Sequence, residues 1–120
     1  SGAILFDWHN EHNEWQLQNK TKVLSAVKYR VKEGCVDEFL DFAMTPSEIP
    51  MKIRKTIVQT DEQEFYEVGI AGLEEKIETE DEEVKWLDTV EHLLEFFGDS
   101  RTHAYSGVVN IWNNPKSLDG

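Results

Sequence analysis

Cysteine is all but missing. Cys35 stands alone, so the chain can form neither an intrachain disulfide nor a thiolate metal cluster, and nothing in it demands an oxidising compartment. A cytoplasmic setting is the expectation. Bases are scarce as well, 12 against 24 acids for a formal charge of −12. That balance excludes nucleic acid as a main partner, because phosphate binding needs a cationic surface. It also excludes adhesion to an anionic membrane surface. No run approaches the roughly 18 apolar residues of a membrane-spanning helix. With 120 residues there is no room for separate cofactor and substrate lobes. The 39% hydrophobic content still fills one core, so wholesale disorder is excluded. The chain opens on Ser1-Gly2 without a methionine, the look of a cleavage scar, which leaves an earlier targeting segment open.

Residues 1–20 read as an N-terminal arm. An apolar stretch is followed by a polar one in which Trp8, His12 and Trp15 are spaced to share a helical stripe. Packing on its own domain, packing on a partner chain and a flexible lead-in all stay open. The domain proper spans residues 21–112, and residues 113–120 form a polar tail.

From Thr21 onward Val23, Ser25, Val27, Tyr29 and Val31 alternate with mostly basic positions, a strand with one strongly apolar face. Gly34 breaks it. Val36, Phe39, Leu40 and Ala43 then recur at helical spacing, predicting a short amphipathic helix that stops before Pro46. Residues 53–60 and 65–71 are β-rich runs joined by a short polar link, a hairpin signal. The acidic run 74–83 reads as a solvated connection ending in a capping box, Thr79 with Glu82. Trp86, Leu87, Val90, Leu93, Leu94 and Phe97 fall within a stripe of about 120°, so a helix is expected over 80–97 with Gly98 as its left-handed terminator. Residues 103–112 complete the pattern as a last strand ended by Asn113, Asn114 and Pro115. The order β–α–β–β–α–β predicts an α+β fold: a ferredoxin-like, four-stranded antiparallel sheet with both helices on one face.

That order, with the segments VKYRVKEGCVDEFLDFAM, KTIVQTDEQEFYEVGIAG and WLDTVEHLLEFF followed by YSGVV, resembles the dimeric α+β barrel superfamily. Within it the chain looks most like the antibiotic-biosynthesis-monooxygenase (ABM) domain group. The resemblance covers residues 21–112. It implies a homodimer formed through the sheet faces, with a cavity between sheet and helices for a small aromatic or polyketide-like ligand. Its activity would be a cofactor-independent monooxygenation; the alternative is a dimeric binding or stress-related module without chemistry. No cofactor and no metal are expected, and no catalytic residue carries over from the family.

The dimer has a separate argument. If Phe65, Glu67, Gly69 and Ala71 join Leu24, Ala26, Lys28 and Arg30 on the sheet face away from the helices, that face mixes apolar groups with charge. A second copy would cover it. Glu67 should then pair with Lys28 or Arg30, since an unpaired buried charge costs several kcal/mol. Tyr29, Tyr66, Trp86, His103 and Tyr105 are the residues expected around a ligand cavity, with ordinary core packing as the competing reading. His103 is the candidate general base, because imidazole titrates near neutrality. His92 reads as a surface partner of Asp88 four residues earlier. His9 and His12 with Glu11 and Glu14 have the spacing for a metal only if helical, and a polar arm is the simpler reading. Cys35 at the start of the first helix reads as a small buried hydrophobe rather than an activated thiol.

Overall fold

The computed structural model describes residues 2–112. They form an α+β fold built on one antiparallel sheet of six strands. In chain order the elements are β1 (Ala3–His9), α1 (Glu11–Gln16), β2 (Lys22–Val31), α2 (Val36–Ala43), β3 (Lys52–Asp61), β4 (Glu64–Gly72), α3 (Leu73–Glu78), α4 (Glu80–Val90), a single 3-10 turn (Glu91–Leu93), β5 (Leu94–Glu95) and β6 (His103–Val108). Across the sheet the order is β1–β3–β4–β2, and the outer edge of β2 is shared by β5 at its C-terminal end and β6 along the rest.

The alternating segment is β2, the amphipathic segment is α2, and the hairpin is β3–β4 with Glu62 and Gln63 at the turn. Period-two and helical periodicity are local signals, and the structure honours both here. One side of the sheet carries the core. Tyr29, Val31, Ile57 and Phe65 from the strands close on Phe39 and Ala43 of α2, on Val90 at the end of α4, and on Leu93 and Leu94 just beyond it. Three aromatic contacts bind the layers: Tyr29 to Phe39 at 5.2 Å, Phe39 to Phe65 at 5.5 Å, and Tyr29 edge-on to Trp86 at 6.0 Å between centroids.

Several expectations change. Of the openings left for residues 1–20, the structure takes the first: β1 is a fifth full strand, hydrogen-bonded antiparallel to β3. That pairing makes β3 an interior strand. The helix expected over 80–97 ends at Val90. The apolar stripe continues past it, but Leu93 and Leu94 reach the core from a 3-10 turn and the two-residue strand β5. Apolar spacing fixes which residues are buried, not which backbone delivers them.

The capping box is absent. The Thr79 hydroxyl donates back to the Glu75 carbonyl at 2.8 Å, because the acidic run is itself helical as α3 and Thr79 closes that helix. Gly98 does adopt the left-handed conformation, φ +61°, but in a tight turn where Phe97 and Ser100 exchange backbone hydrogen bonds. The last strand ends at Val108, and its expected stop at 113–115, like the polar tail, lies outside the described residues.

Candidate functional site

Register decides which side chains meet. Facing residues of an antiparallel pair share a sheet face. Tyr29 faces Phe65, Val27 faces Glu67, and Ser25 faces Gly69, so these all point toward the helices. Lys28 faces Tyr66, Ala26 faces Val68, and Leu24 faces Ile70 on the opposite, open side. The phase assumed for β4 from sequence is reversed. Tyr29 and Tyr66 do not share a face, and Glu67 does not meet Lys28 or Arg30. Sequence alternation gives each strand two faces but not their phase relative to the neighbour; here the pairing of β4 with β2, which no tight turn joins, sets it.

The expected ligand residues are thereby divided. Tyr29 and Trp86 lie in the core, in contact with each other and, through Tyr29, with Phe39. Burial drives the Tyr29 phenol well above its usual value, helped by the charges of Glu67 and Glu83. Tyr66, His103 and Tyr105 are on the open side, where three cross-strand rows form: Ile4–Val58–Tyr66–Lys28–His103, Asp7–Thr56–Val68–Ala26–Tyr105 and His9–Arg54–Ile70–Leu24–Gly107.

His103 stacks flat on Phe97, centroids 5.0 Å apart, and lies 6.2 Å from Tyr105. Lys28 sits over both Tyr66 and Phe97 at 5.8 Å and bonds Glu64 at 2.9 Å. That bond raises the Lys28 pKa and lowers the Glu64 pKa. Beside it, Asp7 accepts from Arg54 at 2.7 Å and from Thr56 at 2.7 Å. A hollow of about 400 Å³ lies in this face between Leu24, Tyr105, Gly107 and Val108.

A second constellation occupies the helix side, and sequence reading missed it. Lys52 and Lys55 of β3 are both buried, 5% and 8% exposed. Glu67 of β4 lies 3.6 Å from the Lys55 ammonium, and Lys76 of α3 bonds both carboxylate oxygens of Glu83 of α4 at 2.6 Å. Residues three apart on a regular strand point to opposite sides. A register shift between Lys52 and Arg54 inserts an extra residue, so Lys52 faces Ala71 and joins Lys55 on the helix side. Gly69 supplies the room: a β-carbon there would collide with the Lys52 ammonium. Burial lowers the Lys52 pKa, with Lys76 and Lys55 adding to the fall and Glu67 and Glu83 opposing it. Eight of the 12 basic residues lie between Lys20 and Lys55, a sequence trace of the strand half of this cluster.

The remaining candidates are peripheral. His92 faces Glu38 of α2 at 3.9 Å rather than Asp88, which pairs with Arg101. The four-residue spacing on α4 is broken, since Val90 ends the helix before His92. His9 binds Glu14 at 3.2 Å, with His9 on β1 and His12 on α1, where it stacks on Trp15. Among the described residues no group of three metal-ligating side chains converges, and no helix is long and apolar enough to cross a membrane. Cys35 caps α2 half-buried against the core. The chain matches no family model, no curated protein and no solved structure.

Proposed function

We propose that this chain is a homodimeric small-molecule-binding module, two copies apposed through their open sheet faces in the manner of the dimeric α+β barrels. The observation that carries the reading is the open face itself. Ile4, Leu24 and Tyr105 are exposed on it, and Val58, Tyr66, Val68 and Ile70 are half-buried. A contiguous apolar patch of this kind marks an interaction surface. Its charges suit self-apposition. Lys28, Arg30 and Arg54 stand against Asp7, Asp61, Glu64 and Glu95 on this face, close to balance, so most of the excess acid of the chain lies elsewhere and does not repel a twin. Lys28 with Glu64 and Arg54 with Asp7 are already paired within one protomer, which spares them the cost of burial alone. The order β6–β2–β4–β3 within the sheet supports a ferredoxin-like layout extended by β1 and β5.

Under the helices, Tyr29, Phe39, Phe65 and Trp86 pack on one another at ring-contact distances as an ordinary aromatic core. The resemblance also supports a second reading, cofactor-independent monooxygenation of an aromatic substrate. It is favoured by exposed His103 stacked on half-buried Phe97 beside Tyr105, a flat platform with the imidazole accessible. Sedimentation at micromolar concentration tests the dimer: wild type should sediment as a dimer and Leu24→Glu as a monomer. A wild-type monomer across the concentration range overturns it. Loss of turnover in His103→Ala, with the dimer intact, would separate the oxygenase from the binding module.

A further inference from the structure

We propose that Lys52 is a reactive amine that condenses with a small 2-oxo acid, in a site formed by Lys55, Glu67, Lys76 and Glu83 on the helix side of the sheet. The site lies on the opposite side from the proposed dimer interface and stands whether or not the chain dimerises.

Geometry makes the case. An extra residue in β3 turns Lys52 inward, and a glycine in a central strand clears space for its ammonium. Glycine inside a strand otherwise weakens it, and close approach of another group is the usual reason for one there. Each neighbouring amine has its own carboxylate, Lys55 with Glu67 and Lys76 with Glu83. No third carboxylate bonds Lys52 among the described residues. A protonated Lys52 is thus a cation on a buried residue beside two others, a situation relieved by releasing the proton. Desolvation and adjacent cations are the two means by which a lysine becomes a nucleophile near neutrality. The direction of the Lys52 shift agrees. The charges that bear on it are Glu67 from β4, Lys76 from α3, Glu83 from α4 and Lys55 from its own strand.

The chemistry balances without an added oxidant or reductant. The Lys52 nitrogen attacks the carbonyl carbon, a carbon–nitrogen bond forms, and the carbonyl oxygen leaves as water with the two amine protons. Protonation of the imine restores a third positive charge among the amines, and the carboxylate next to the carbonyl supplies its counter-ion. That charge count selects a 2-oxo acid over a neutral aldehyde.

Glyoxylate with cyanoborohydride, added to the full chain at neutral pH, traps the imine as a stable carboxymethyl amine that peptide mass mapping locates. Lys52 should be modified ahead of the exposed Lys20, Lys32 and Lys85, since the free-amine fraction rises about tenfold for each unit by which a pKa falls. Adducts spread over the exposed lysines with Lys52 behind them overturn the proposal. Lys76→Met removes a neighbouring cation and frees Glu83, so it should slow the modification of Lys52. Unchanged labelling in that variant, shown folded by its circular dichroism, overturns the proposal as well.

Discussion

The Lys52 ammonium lies across Gly69 so closely that a β-carbon at position 69 would collide with it. Alanine in place of a strand glycine ordinarily gains about 0.5–1 kcal/mol. Here Gly69→Ala should instead destabilise by about 1 kcal/mol, the low end of overpacking because the end of a lysine side chain can swing aside. In a Lys52→Ala background the loss should vanish. Urea unfolding of both single variants and the double variant measures this coupling, since residues in contact depart from additivity.

Lys52 also sets a pH dependence. Its folded pKa is lowered from 10.5 by burial. Between the two values the unfolded chain binds more protons, so stability rises with pH in that window, and the penalty is fully present below it. Lys52→Met should flatten this rise and stabilise the protein at neutral pH by about 1 kcal/mol, as apolar replacements of buried charges often do. Thermal melts of both proteins from neutral to alkaline pH give the comparison.

The acid limb has a different source. Hydrogen bonds from Arg54 and Thr56 hold Asp7 at about 2, below its usual 3.8. A depressed carboxylate stabilises fully above its unfolded value and loses that contribution as pH falls through the folded one. Wild type should therefore lose melting temperature more steeply than Asp7→Asn between 3.8 and about 2. Parallel curves would show that the β1–β3 contact carries no pH dependence.

Phe39 joins α2 to the sheet through Tyr29 and Phe65 and is 1% exposed. Phe39→Ala should cost about 3–5 kcal/mol, the range for deleting a buried aromatic ring. That is a large share of the roughly 5–15 kcal/mol that holds a domain together. Chemical denaturation followed by Trp fluorescence reads the loss, with Trp86 close to the cavity created.

By itself the sequence determined β2, α2 and the β3–β4 hairpin, because alternation, helical spacing and a polar turn are properties of neighbouring residues. It also determined most of the core: Val31, Phe39, Val90, Leu93 and Leu94 are buried as their spacing requires. Tertiary structure alone decided the rest. Whether residues 3–9 form a strand depends on β3 offering an edge to pair with, and no local pattern records that offer. Which of Phe65 or Tyr66 turns to the helices depends on how β4 pairs with the distant β2, where a shift of one residue exchanges the faces. Lys52 joins Lys55 through one extra residue in β3, and the carboxylates come from β4 and α4. Hydrogen bonds between distant segments fix these choices, and periodicity along a single segment has no means of encoding them.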